Sequence, residues 1–104
     1  MNQVTLIGNL TDNLELKTSK DSGKVYTQFT LAVNNHKGKE KNTDFLDVVA
    51  FGSKAEILSQ HMQKGRKLFI VGKLKNNSYV NQEGIKRYTT RVILDDFEFV
   101  DNKK

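Results

Sequence analysis

The side chains that could do chemistry in this 104-residue sequence are aromatic and cationic, not nucleophilic or paired acidic ones. Phe45 and Phe51 flank a strand-like run, and Tyr26, Tyr79 and Tyr88 stand in polar segments. Around them lie Lys37, Lys39 and Lys41, then Lys73 and Lys75, then Lys86, Arg87 and Arg91. Rings of this kind stack on other flat π-systems, and the cations neutralise phosphates, so together they suit a planar polyanion. Catalytic sets are missing. With no cysteine there is no thiolate nucleophile, disulfide or cysteine metal site. His36 and His61 have no ligand-like neighbours, so no metal is expected. Asp95 and Asp96 are adjacent, and neighbours on a strand point to opposite faces, so they do not converge as an acid/base pair. No G-x-S-x-G elbow occurs, and Gly52-Ser53-Lys54 lacks the upstream glycine of a phosphate loop. The two matches to a glycosylation acceptor, at Asn9 and Asn76, carry no weight without a secretion signal. No enzyme activity and no cofactor are expected.

The elements that must position these residues are mostly strands. Apolar residues alternate with polar ones near residues 3–10, 24–34, 45–51, 67–80 and 87–100. Between the third and fourth strands, Ser53-Lys54-Ala55-Glu56 reads as a capping box. Ala55, Leu58 and Met62 then share one helical face, and Lys64-Gly65 stops the helix. Polar, glycine-containing turns are expected at Lys20 to Gly23, Asn34 to Asn42 and Asn81 to Gly84. Gly8 and Gly72 interrupt strands, where a missing side chain marks a bulge, a bend or close backbone approach.

Five strands with one short helix between strands 3 and 4, and a long hairpin of strands 4 and 5, give an all-β fold. The order is that of a five-stranded Greek-key oligonucleotide/oligosaccharide-binding (OB-fold) barrel. A barrel also accounts for the third strand, which is apolar on both sides. Leu46, Val48 and Ala50 suit the crowded interior, which leaves Phe45, Val49 and Phe51 on the outer wall. An aromatic in a small β domain is more often core than surface, so Phe29, Phe69, Phe97 and Phe99 are assigned to core or interface.

Charge agrees with this picture. Lysine and arginine number 17 against 12 acidic residues, for a net +5 and a pI near 9.5. Four of the acidic residues, Asp95, Asp96, Glu98 and Asp101, lie in the last ten positions, so the rest of the chain is more basic than the total. A basic body favours a polyanionic partner. One domain over residues 1–100, a short polar end at 101–104, and no apolar stretch of the roughly 18 residues needed to cross a bilayer are expected. With no signal segment read at the N-terminus, the expected location is cytoplasmic.

The sequence resembles the bacterial and phage single-stranded DNA-binding proteins along nearly its whole length. The resemblance rests on Asn2-Gln3-Val4-Thr5-Leu6-Ile7-Gly8-Asn9-Leu10, Phe29-Thr30-Leu31-Ala32-Val33-Asn34, and the run from Thr43 to Glu56. It continues through Lys64-Gly65, Val71-Gly72-Lys73-Leu74, Tyr79 to Gly84, and Arg87-Tyr88-Thr89-Thr90. It implies non-specific binding of single-stranded DNA in replication, recombination and repair by a homotetramer built from barrel dimers. It also implies stacking aromatics at Phe45, Phe51 and Tyr79, the residues already chosen by alternation. The sequence departs from the family pattern in having no tryptophan, in Asp47, and in Asn77-Ser78 before Tyr79, which implies weaker binding per subunit. The final residues, Val100 to Lys104, are not the acidic, Phe-ended tip by which the family recruits replication proteins, so the resemblance does not extend to that recruitment. Two alternatives stay open on the residues alone: an RNA-binding barrel, and a structural barrel whose outer aromatics form a subunit interface.

Overall fold

The computed structural model describes residues 1–38 and 40–100, with the backbone alone for residues 36, 37, 40 and 41. The elements are β1 (Val4–Leu10), β2 (Lys17–Thr18), β3 (Val25–Lys37), β4 (Glu40–Phe51), α1 (Gly52–His61), β5 (Lys67–Val80) and β6 (Lys86–Phe99). Strands run β1-β5-β6-β4-β3 around a ring that closes where β1 pairs β3 at Asn9↔Ala32 and Leu10↔Leu31. All pairings are antiparallel except β4 with β6, which run parallel at Val48↔Val92 and Val49↔Ile93. This is the expected five-stranded barrel, with α1 following the third long strand. The two-residue β2, too short to show a period, lies outside the ring against Tyr26 and Val25.

Alternation fills the interior. Thr27, Phe29 and Leu31 of β3, Val48 and Ala50 of β4, Leu68 and Ile70 of β5, and Val92 and Leu94 of β6 are buried. Ala55, Leu58 and Met62 of α1 join this core, as their helical spacing predicts. Thr27, the buried polar side chain, satisfies its hydroxyl by donating to the Glu15 carbonyl at 3.0 Å.

Gly8 and Gly72 are places of close backbone approach. A Cβ on Gly8 would lie 2.6 Å from the Ala32 oxygen, and one on Gly72 would lie 2.4 Å from the Ile93 oxygen. Gly72 also sits at the register shift of the β5–β6 ladder, so the sequence expectation of a bulge or close approach there holds on both counts.

Two local expectations are corrected. The stretch from Asn34 to Asn42 is not a loop: β3 and β4 stay paired to Lys37↔Glu40, and Gly38, at φ 64°, turns the chain. Both faces of this stretch are polar, so no period-two signal announces it. Cross-strand bonds support it instead, Thr43 Oγ1 donating to Asn34 Oδ1 at 2.9 Å and Asn35 Nδ2 to Asp44 Oδ2 at 2.6 Å. The capping box also fails to form. Phe51 stands at the N-cap without a side-chain cap bond, and Gly52, at φ 66°, makes the turn from β4 into α1 by backbone freedom alone.

Two arms therefore leave the barrel, the upper β3–β4 hairpin and the β5–β6 hairpin. The second is tied at its root by the Asn2 amide, which donates to the Leu74 carbonyl at 2.8 Å and accepts from its N–H at 2.9 Å. At its tip the Asn81 side chain accepts from the N–H groups of Glu83 and Ile85 at 3.0 and 2.9 Å. An arm pinned at both ends can hold side chains at fixed positions.

Candidate nucleic-acid interface

The β3–β4 ladder builds the outer wall by register. Tyr26 pairs with Phe51, Gln28 with Val49, Thr30 with Asp47 and Ala32 with Phe45. Since side chains alternate, these pairs share the face that the interior does not use. The Tyr26 and Phe51 rings lie 6.4 Å apart at 41°. Phe45 is 66% exposed and Phe51 49%, so the two phenylalanines assigned outward do face solvent. They stand six positions apart, which on a strand is about 20 Å. Val49, also assigned outward, is covered by its neighbours and is only 4% exposed.

The β5–β6 register decides which arm residues join this wall. Lys73 pairs with Ile93, Lys75 with Arg91, Asn77 with Thr89 and Tyr79 with Arg87, so these share one face of the arm. Lys75, Asn77, Arg91 and Ile93 line a cleft of about 300 Å³ together with Tyr26, Gln28, Val49 and Phe51. That face of the arm therefore looks onto the aromatic wall. A neighbouring cleft of about 220 Å³ shares Gln28, Val49 and Arg91 and adds Thr30 and Asp47. Tyr79, 52% exposed, and Arg87 continue the row toward the tip.

Tyr88 and Lys86 fall on the opposite face, in register with Ser78 and Val80. Lys86 Nζ stands 5.6 Å over the Tyr88 ring, so these two interact with each other and not with the wall. Lys39 and the side chains of Lys37 and Lys41 lie outside the described residues; the backbone of Lys37 and Lys41 runs near the end of the β3–β4 arm. Gln28 and Asn77 were not chosen as site residues from sequence. Alternation carried a signal for both: Gln28 is two residues from Tyr26, and Asn77 lies midway between Lys75 and Tyr79.

Electrostatically the wall is mixed at one end and cationic at the other. Among the described residues Lys73, Lys75, Arg87 and Arg91 hold no ion pair, so their charges are uncommitted. Asp47 accepts from Thr30 Oγ1 at 3.3 Å in the smaller cleft and places a negative charge there. No group of three or more His, Cys, Asp or Glu that could hold a metal occurs among the described residues. No helix there is long and apolar enough to cross a membrane.

A closed five-stranded barrel with its helix after the third long strand, and an outer wall of exposed aromatic rings beside cations that hold no ion pair among the described residues, defines the class as an OB-fold binding module. The model of the Single-strand binding protein family matches residues 1–100, and the chain belongs to that family. It is 42% identical to the single-stranded DNA-binding protein of Clostridium perfringens over 98% of this chain and 67% of that relative. The Clostridium tetani single-stranded DNA-binding protein is 40% identical over 97% of this chain and 71% of its own length. Single-stranded DNA-binding protein 1 of Staphylococcus aureus is 36% identical over 99% and 67%.

Proposed function

We propose that this protein is a non-enzymatic binder of single-stranded DNA, active in replication, recombination and repair in the cytoplasm. Residues 1–100 act as the binding unit. The observation that carries the reading is the cleft where Tyr26 and Phe51 meet the uncommitted Lys75 and Arg91. Bases stack on Phe51, Phe45 and Tyr79, each stack contributing about 1–3 kcal/mol whatever the base, and the phosphates run past Lys73, Lys75, Arg87 and Arg91. Duplex DNA is refused because its bases already stack on each other and cannot reach the rings. Tyr88 and Lys86 drop out of this path, since the arm turns them away.

The test is a fluorescence-anisotropy titration of labelled oligo-dT and a matched duplex at two salt concentrations. Tight, salt-sensitive binding to the single strand alone is expected; equal binding to both would reduce the site to a basic surface. An oligo-rU competitor separates DNA from RNA. In the double variant Lys75→Gln/Arg91→Gln, the slope of log affinity against log salt should become shallower by about 1.4, from about 0.7 per lost phosphate contact on a single strand. An unchanged slope would remove both residues from the phosphate path.

The proposal extends to assembly as a homotetramer of barrel dimers, which the family resemblance implies and a second surface supports. From Val4 to Gly8, one edge of β1 pairs β5 and the other pairs no strand among the described residues. On the outer face there, Ile7 is 50% exposed beside the half-buried Phe69, and Val71 follows on the same face. Free strand edges and apolar patches invite a second copy. Ile7→Asp should lower the mass measured by sedimentation at equal concentration, and an unchanged mass would exclude this face from the assembly.

A further inference from the structure

The cleft beside Phe51 holds more than a stacking platform requires. A platform needs only flat rings, because every base has a π-face. This cleft has a floor of Val49 and Ile93, a side of Tyr26 and Phe51, and two carboxamides, Gln28 and Asn77, on its lining. At about 300 Å³ it is at the lower end of the size of small-ligand sites, where a few placed polar groups fix orientation.

The two amides are available. Asn2, Asn9, Asn35, Asn76 and Asn81 each hold a hydrogen bond within the protein. The side chains of Gln28 and Asn77 hold none among the described residues. Asn76, the neighbour of Asn77 on the other face of the arm, accepts from Thr90 Oγ1 at 3.3 Å and so serves the arm itself. Asn77 faces the cleft with both its donor and its acceptor unused.

We infer that this cleft takes one base edge-first and prefers guanine there, with Gln28 and Asn77 reading its Watson–Crick edge and Arg91 its Hoogsteen edge. An amide supplies one acceptor and two donors. Guanine offers donors at N1 and N2 to the amide oxygens and an acceptor at O6 to an amide N–H. It also offers O6 and N7 side by side, the pair of acceptors that an arginine fork matches. Adenine places a donor beside N7, and cytosine places a donor where guanine has O6, so each leaves Arg91 facing a donor. Thymine satisfies the amides and has no second edge for the guanidinium, which on oligo-dT therefore stays on the phosphates and turns to the base only where guanine enters the cleft. The protein then carries a base preference at one position of an otherwise indifferent footprint. The inference rests on the single-strand reading above.

The experiment compares oligo-dT with the same oligomer carrying one central dG, dA or dC, by competition anisotropy on the full chain. Because the complex can shift along oligo-dT, a favoured base finds the cleft from any register. The dG oligomer should bind about fivefold tighter than oligo-dT, the lower end of what a bidentate contact gives in a site open to water. In Arg91→Lys, which keeps the positive charge and loses the fork, the ratio of dG to dT affinities should fall toward one, because the amides serve thymine as well as guanine. The ratio is the readout, because loss of the fold lowers both affinities together. Equal affinities for all four oligomers, or a dG preference that survives Arg91→Lys, would overturn the inference while oligo-dT binding kept the single-strand reading intact. Failure to bind any oligomer would overturn both.

Discussion

Replacing Phe45 and Phe51 together by alanine is expected to weaken oligo-dT binding by thirtyfold or more and to leave the barrel folded. Each ring lost from a stack costs about 1–3 kcal/mol, and two independent losses of about 1 kcal/mol already give that factor. The rings are 66% and 49% exposed and stand outside the core cluster, so truncation opens no cavity in the barrel. Phe45 pairs across the ladder with Ala32, which offers it little to pack on, whereas Phe51 leans on Tyr26 at 6.4 Å. Phe51→Ala alone should therefore show a small drop in melting temperature, and Phe45→Ala almost none. The measurement is oligo-dT affinity beside a thermal melt of the same sample. Unchanged affinity in a folded double variant would assign the wall to a subunit interface. Collapse of the melt would mean that the rings belong to the core.

How far the sequence discloses this site depends on which physical signal each part leaves. A wall buried on one side must alternate, so the residues of the barrel are legible from period two, while on β4, apolar on both sides, the outward turn of Phe45 and Phe51 also needs the smaller Leu46, Val48 and Ala50 to claim the crowded interior. The upper β3–β4 arm buries neither face and leaves no such trace; its register is held by pairs such as Asn35 with Asp44, which read as loop residues. The arm of β5 and β6 is different again. Alternation sorts each strand into two faces, but whether Tyr79 shares a face with Arg87 or with Tyr88 depends on how residues 81–85 close the turn. Asn81 sets that turn through its side chain, and its choice sends Tyr88 to the far face. The helix start shows a third case. A capping box and a positive-φ glycine are competing ways to begin a helix, and with Gly52 immediately before Ser53 the backbone turn wins.

Gly72→Ala should be the most destructive single methyl group in the chain, costing about 3 kcal/mol or more. The new Cβ would meet the Ile93 carbonyl oxygen at 2.4 Å and Val92 Cγ1 at 2.9 Å. A carbonyl in a paired strand cannot rotate away as a side chain could. Ile93 is also fixed from its other side, because β4 and β6 run parallel at Val48↔Val92 and Val49↔Ile93, the short pairing that links β6 to β4 within the ring. Relief must therefore come from shifting β6, which disturbs ring closure and the Val49–Ile93 floor of the cleft together. For a domain of this size the melting temperature should fall by roughly 12 °C or more. Gly84→Asn is the matched control: that position has φ 79° with nothing within 4 Å of a Cβ, and asparagine tolerates such a backbone. It should melt within a few degrees of the parent. A Gly72→Ala protein that melts with the parent would show that β6 can slide without opening the barrel. Oligo-dT binding by that same variant would then report whether the cleft floor moved with it.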